Sequence, residues 1–520
     1  MTDLTIKLIL LILFFGSMIG IGLYCRRHAT DVNGFVLGGR SVGPWLTAFA
    51  YGTSYFSAVV FVGYAGQFGW KYGIAATWAG LGNAFIGSLL AWVVLGRRTR
   101  VMTQHLDSAT MPEFFGKRFG SGALKLCASA IIFIFLIPYT ASLYNGLSRL
   151  FGMAFDIDYS VCVIVMAVLT GVYVIAGGYM ATAINDFIQG IIMLFGIAAV
   201  ILAVLHSQGG FLAALESLAR VSDESASSTP GVFASFFGPD PVNLLGVVIL
   251  TSLGTWGLPQ MVQKFYAIKS EAAISKGTII STFFALVVSG GCYFLGGFGR
   301  LFAGRMQFNP DGSIVGGFDS VIPTMLSGLP AILIAVVVIL VLSASMSTLS
   351  SLVLASSSTL TLDFIKGTVI KDMDEKRQVK WMRGLVVVFI AVSVVLALIQ
   401  YKSSVTFIAQ LMGVSWGALA GAFLAPFLYG LYWKRTTKAA CWVSFLFSTV
   451  VMLANIFVRS SFPALLQSPI NAGAFCMLAG LVIVPVVSLV TPAPDRKSLD
   501  EMFACYDQQV TVSVKDSIGE

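Results

Sequence analysis

The chain has 520 residues, of which 57% are apolar and only 11% charged, and its mean hydropathy is +0.88. Water-soluble domains carry about 25% charged residues, so this composition excludes an ordinary soluble fold and predicts an all-α, polytopic membrane protein. A net charge of +8 would suit a nucleic-acid binder, but basic residues in a membrane protein usually mark which side a loop faces, so their placement decides.

Apolar runs of roughly 17 or more residues predict thirteen spans, near 4–25, 44–68, 74–96, 123–150, 160–177, 183–205, 243–263, 277–303, 329–360, 384–400, 405–431, 438–458 and 471–491. The first is read as a retained helix and not a cleavable leader, because Arg26 and Arg27 follow its apolar core and no small-residue cleavage site intervenes. With the N-terminus outside, alternate loops are cytoplasmic, and 24 of the 32 Lys and Arg then fall on that side, among them Arg40, Arg97, Arg98, Arg100, Lys264, Lys371 and Lys515. The expected arrangement is multi-pass in the plasma (inner) membrane, N-terminus out and C-terminus in. Topology accounts for the basic charge, so no nucleic-acid partner is needed and the partner expected from composition is the bilayer. No obligate protein partner is evident. The stretch SDESASSTPG (222–231) reads as a flexible external loop, and the tail from about 492 as too short for a regulatory domain.

Enzyme chemistry finds no foothold. The seven Cys (25, 127, 162, 292, 441, 476, 505) form no CxxC pair, the three His (28, 105, 206) have no metal-site spacing, and no GxxxxGK[ST] phosphate loop occurs. No catalytic residue and no cofactor are assigned.

Three spans carry hydroxyls and glycines that hydrocarbon does not tolerate unless they face protein, water or a ligand. The second holds Gly52-Thr53-Ser54-Tyr55-Phe56-Ser57; the seventh holds Thr251-Ser252-Leu253-Gly254-Thr255-Trp256-Gly257-Leu258-Pro259-Gln260; the ninth holds Ser343-Ala344-Ser345-Met346-Ser347-Thr348-Leu349-Ser350-Ser351. The second and seventh spans are five apart, an odd number, so the second unit runs through the membrane inverted. Interrupted spans at matching places in two such units predict discontinuous helices around a central site. Close packing through small residues is the plainer account of any one segment.

In the ninth span Ala344, Ser347, Thr348 and Ser351 share one helical face. An unwound second span can add the carbonyls of Thr53 and Phe56. Together with the Ala344 carbonyl and the Ser347 and Thr348 hydroxyls they make a neutral five-oxygen site for a hard monovalent cation. These three segments contain no Asp, Glu, His or Lys, which favours sodium over proton coupling. Ser343, Ser345 and Ser350 read as hydroxyls bonded back to their own helix. Asp186, after Asn185, is placed at the cytoplasmic edge of the sixth span, either as a helix cap or in ion release. Tyr55, Phe56 and Trp256 are placed at the wall of a solute pocket, with Ser57, Thr255 and Gln260 as its polar candidates.

The motifs FVLGGRSVGPW (35–45), YGTSYFSA (51–58), IAGGYMATAINDFIQG (175–190), WGLPQMVQKFYAIKS (256–270) and SASMSTLSS (343–351) resemble those of the sodium:solute symporters, which include proline, pantothenate, monocarboxylate and glucose transporters. The resemblance implies a LeuT-like fold of two inverted five-helix units, with one helix before the core and two after it. It carries the family's sodium ligands onto Thr53, Phe56, Ala344, Ser347 and Thr348, and an acidic residue near the inner sodium exit onto Asp186. Tyr55 stands where the bacterial proline symporter has an aspartate, and Thr251 and Thr255 replace an aromatic pair.

The division expected is therefore 1–43 (extra helix and first loop), 44–242 (first unit and external loop), 243–431 (second unit) and 432–520 (two further helices and tail). The function expected is sodium-coupled symport by alternating access, its solute a small organic acid (monocarboxylate or pantothenate-like) or an amino acid. The alternatives are a sodium/proline-type symporter and a transporter-like sensor without its own output domain.

Overall fold

A computed structural model describes residues 3–155, 158–224, 226–370, 372–403 and 408–507. Ser225, Lys371, positions 405–407 of the expected eleventh span and the tail with Lys515 lie outside the described residues, as do the side chains of Lys7, His28, Cys162 and Lys402. Described residues form helices joined by turns and by two longer connections, 208–240 and 297–330, that carry short helical pieces, with only isolated bridges of strand type. In chain order the long helices are α1 (Asp3–Cys25), α2 (Pro44–Tyr55), α3 (Val59–His105), α4 (Gly122–Phe155), α5 (Tyr159–Ser207), α6 (Pro241–Gly257) and α7 (Pro259–Ala267). They continue with α8 (Glu271–Gly296), α9 (Ala331–Ile365), α10 (Glu375–Ser403), α11 (Ile408–Tyr432), α12 (Lys438–Phe457) and α13 (Pro469–Val490).

Among the described residues nine helices are long and apolar enough to cross a membrane, or ten if the bent pair α6 and α7 is one span. Two of the nine are interrupted. Gly73 in α3 (φ 60, ψ −143) and Gly178 in α5 (φ 55, ψ −145) adopt positive-φ backbone that only glycine enters freely, and the regular helix is interrupted there. The expected thirteen is reached only by taking α6 with α7 as one crossing, each side of the two breaks as a crossing, with α2 joined to the first side of α3, and α1 as one more.

Helix ends follow capping more than hydropathy. Ser270 accepts from the Ala273 N–H at 3.3 Å, so α8 starts at Glu271, six residues before the apolar run. The expected end of that span, 299–303, lies in a separate 3₁₀ turn, Gly299–Arg305. The external loop is tied down: Asp223 Oδ2 receives Arg300 Nη1 at 2.9 Å.

The apolar surface sorts the helices. α9 and α11 sit inside, with Ser343–Thr359 and Ile408–Ala409 buried throughout. By contrast α1, α10, α12 and α13 expose Ile12, Val395, Val450 and Val482, which suits a lipid-facing ring. At the basic end the GGR element is a clamp. Arg40, itself at φ 55, donates to the carbonyls of Ser108 (2.7 Å), Tyr266 (3.2 Å) and Thr103 (3.3 Å). Beside it Val42 N–H donates to Ala267 O at 3.2 Å and Lys269 N–H to Val42 O at 3.0 Å, joining the start of α2 to the end of α7.

At the opposite end Asp319, buried in the turn before α9, accepts from the Ile408 N–H at 3.3 Å and so caps α11. Burial pushes its carboxyl up to about 6, against the pull of that N–H and of the Arg149 charge. A raised carboxyl binds its proton more tightly in the folded state. Its contribution is therefore fully present below the unfolded value near 4, and is lost as the pH rises through about 6, a swing of about 3 kcal/mol. Asp319→Asn, which keeps an acceptor for Ile408, is expected to melt above the wild type at pH 7.5 and to lose that advantage below pH 4, as thermal unfolding in detergent across pH will read.

Candidate functional site

α2 ends at Tyr55 because Phe56 turns extended (φ −88, ψ 118), and the chain resumes at Val59 in a wide π-helical turn. The break leaves the last carbonyls of α2 without helical successors. α9 passes beside it unbroken and supplies the partners. Ser347 Oγ donates to Thr53 O (3.0 Å) and Ala344 O (3.1 Å), while Thr348 Oγ1 lies 3.1 Å from Thr53 O, 3.2 Å from Phe56 O and 3.1 Å from Ala344 O. All five expected oxygens thus meet, and all five residues are buried. A hard cation of calcium's size holds oxygens at about 2.4 Å, which sets adjacent octahedral corners about 3.4 Å apart. Na+ has nearly that radius, so the cage fits it after a slight expansion. Its donors carry no formal charge, which suits a monovalent ion.

The family model for the sodium:solute symporter family matches residues 35–447. The chain belongs to that family. The symporter is 27% identical over 494 residues to the osmoregulated proline transporter OpuE of Bacillus subtilis (94% of this chain, 95% of the relative). It is 29% identical over 454 residues to the sodium/proline symporter of Staphylococcus aureus (83% and 82%). Its fold matches a solved Na+-coupled sialic acid symporter in its substrate-bound outward-open state, with a TM-score of 0.70 at 16% identity over 94% of this chain and 99% of that one. The fold is therefore LeuT-like, and the protein is a multi-pass membrane transporter that couples Na+ to a small solute, not an enzyme.

The solute candidates of the symporter divide into two groups. Thr255 and Trp256 are committed to the backbone of α3: Thr255 Oγ1 donates to Gly87 O at 2.9 Å and Trp256 Nε1 to Ile86 O at 2.9 Å. Ser57 Oγ accepts from the Val59 N–H at 3.2 Å and shapes the break. The Tyr55 hydroxyl and both polar atoms of the Gln260 amide are buried without a hydrogen-bond partner. Among the described residues no hydrogen bond joins these five to one another. Tyr51, one turn before Tyr55, escaped the sequence reading; its hydroxyl donates to Gly87 O at 2.7 Å, the carbonyl that Thr255 also uses.

Two charges are placed differently from expectation. Lys264, expected in a cytoplasmic loop, is buried inside α7, and Asp186, expected at a helix edge or as a cap, lies eight residues beyond the Gly178 break within α5, fully buried. Lys264 Nζ sits 3.9 Å from Asp186 Oδ2 and donates to Ser351 Oγ at 3.0 Å, and Ser351 Oγ meets Ser54 Oγ at 2.9 Å. Pro259 at the first turn of α7 is the signal that a helix continues past Gln260 and carries Lys264 inward. The hydroxyl stretch of α9 is also used differently in part: Ser350 bonds back to Ser347 O (2.9 Å) as expected, but Ser345 Oγ accepts from Ala58 N–H (3.3 Å) and Ser343 Oγ has no partner. Ser351 lies one turn beyond Ser347, so the ion pair sits about 6 Å along α9 from the cage, toward the basic end. The three hydroxyl segments hold no Asp, Glu, His or Lys, yet this pair adjoins them.

Removing one member of a buried pair strands the other at a cost of about 3–5 kcal/mol. Lys264→Met is expected to lower the thermal stability of the purified protein by that order. The double variant Lys264→Met/Asp186→Asn should recover most of the loss, as measured by unfolding of both variants in the same detergent.

Proposed function

We propose that Na+ binds to the carbonyl oxygens of Thr53, Phe56 and Ala344 and the hydroxyls of Ser347 and Thr348, and that this binding drives uptake of a small carboxylate-bearing solute. The observation that carries the reading is the convergence of two α9 hydroxyls on the Thr53 and Phe56 carbonyls at the break of α2 and on the Ala344 carbonyl of α9. Without the ion, each hydroxyl proton bonds a carbonyl. When Na+ enters, the protons must turn outward so that lone pairs face the cation, and the ion then holds α9 to the break more firmly than the hydroxyls alone. Sodium can shift the conformational equilibrium only by binding one state better than another. A cage assembled from two separate helices has this property, because moving either helix removes part of the coordination.

The solute site lies where the breaks of α2–α3 and α6–α7 face each other, with Tyr55 and Gln260 offering their unsatisfied polar atoms and Ser57, Thr255 and Trp256 setting its shape. Both an amino acid and a monocarboxylate bring a carboxylate. Proline transport by OpuE and by the Staphylococcus aureus symporter, at 27% and 29% identity, makes a proline-type amino acid the first solute to try. The division into two inverted units, 44–242 and 243–431, belongs to the same reading, as does an orientation with the N-terminus outside and the C-terminus in the cytoplasm. Asp186, toward the basic end from the cage, then lies on the sodium exit path, where Lys264 holds it in the present state.

The test is sodium-dependent L-proline uptake in proteoliposomes. Ser347→Ala and Thr348→Ala are expected to raise the Na+ concentration for half-maximal uptake at least tenfold, Thr348→Ala more, because its hydroxyl reaches all three carbonyls. Thr348→Ser should stay near the wild type. Wild-type sodium dependence in either alanine variant overturns the assignment.

A further inference from the structure

A cavity of about 510 Å³ opens at the end of the molecule away from the basic loops, where α3 reaches its Gly73 turn and α6 begins. None of Tyr55, Ser57, Thr255, Trp256 or Gln260 lines it, so it is separate from the solute site above. On its wall Asn243 and Val247 continue the α6 face that leads, one turn at a time, to Thr251 and Thr255. The cavity and that site thus lie along one face of α6.

The charges of the wall are mostly committed. Arg300 donates to Asp223 Oδ2 (2.9 Å) and Trp70 O (2.6 Å), and Asp240 caps α6 by accepting from the Asn243 N–H (3.1 Å) and amide (2.6 Å). Lys71 differs. Among the described residues no carboxylate lies within ion-pair distance of its ammonium, which stands 5.2 Å over the Phe318 ring. One helical turn before it is Gln67, 4% exposed, whose Oε1 has no hydrogen-bond partner. The Asp240 and Arg459 charges act on the ammonium from beyond ion-pair distance. A cationic donor without an ion-pair partner and an acceptor without a hydrogen bond, one turn apart on the same helix face, match the carboxylate and ammonium of one amino acid. A simple monocarboxylate would leave the buried Gln67 acceptor unpaired, at the cost such groups incur.

We infer that this cavity is an outer receiving site for a small zwitterionic amino acid, with the solute carboxylate on Lys71 Nζ and its ammonium on Gln67 Oε1. The inference rests on the symport reading and names its solute class. The site collects solute from the outer solution, and the amino acid then moves along the Asn243–Thr251 face to the break between α6 and α7.

The test is L-proline uptake in sodium-loaded gradients of proteoliposomes, with propionate and L-prolinamide as competitors. Lys71→Met is expected to raise the KM for L-proline at least fivefold while the maximal rate changes less than twofold, and Lys71→Arg to restore most of the loss. Propionate should inhibit the wild type and lose potency in Lys71→Met. L-prolinamide, which has no carboxylate, should inhibit both alike. Gln67→Leu, which keeps the cation and removes the acceptor that propionate leaves unpaired, is expected to raise the KM for L-proline and to leave propionate at least as potent as on the wild type. An unchanged KM in Lys71→Met and Gln67→Leu with uptake intact overturns the receiving site and leaves the symport reading standing. A wild type without sodium-driven L-proline uptake removes the solute reading, and the receiving site with it.

Discussion

A helix broken inside a membrane must find partners for the backbone groups it releases, and this requirement organises the centre of the molecule. Hydrocarbon offers nothing to the Thr53 and Phe56 carbonyls, and each unmet group would cost several kcal/mol. The hydroxyls of Ser347 and Thr348 meet the need. The oxygens that satisfy the break are the same ones proposed to hold Na+, so on that reading structural repair and ion binding share one set of atoms. α9 has to be continuous for this to work, since its two hydroxyls and the Ala344 carbonyl take their relative positions from its regular turns.

How much of this was legible depends on how local each signal was. The five oxygens could be read because the Ala344, Ser347, Thr348 spacing fixes a helical face whatever surrounds it, and Gly257-Leu258-Pro259 announces its own break. Capping explains the shifted ends: the Ser270 hydroxyl starts α8 in polar sequence that hydropathy does not count. Lys264 was misplaced because the apolar run ends at Val262, and counting lysines by loop presumes that a lysine after a run is outside. Its burial depends on Asp186, almost eighty positions away, and Ser351, almost ninety positions away, and no window of sequence contains those partners. Asp186 was put at an edge because the apolar run thins at Asn185-Asp186, whereas the turn is made earlier by Gly178.

The remaining polar groups show a similar division between structure and function. Thr255 and Trp256, chosen as solute contacts, spend their donors on α3 carbonyls. Tyr55 and Gln260, chosen from the same stretches, keep theirs unspent. Both pairs come from the same interrupted segments. Only the packing of α3 against α6 separates groups bonded to backbone from groups left without a partner.

The bonds at the basic end also define which parts can travel together. Val42 is paired with Ala267 and Lys269, Arg40 grips Thr103 and Tyr266, Asn83 meets Ser289 and Ser88 meets Ser281. These ties weld α2, α3, α7 and α8 into one block. Between that block and α5 and α9, the described side-chain links include the cage, Ala58 with Ser345, Ser54 with Ser351, and Lys264 with Ser351 and Asp186. A shear along this seam would part the five clustered oxygens and the Lys264–Asp186 pair in the same stroke, so on the proposed reading cation release and the opening of that pair are one mechanical event.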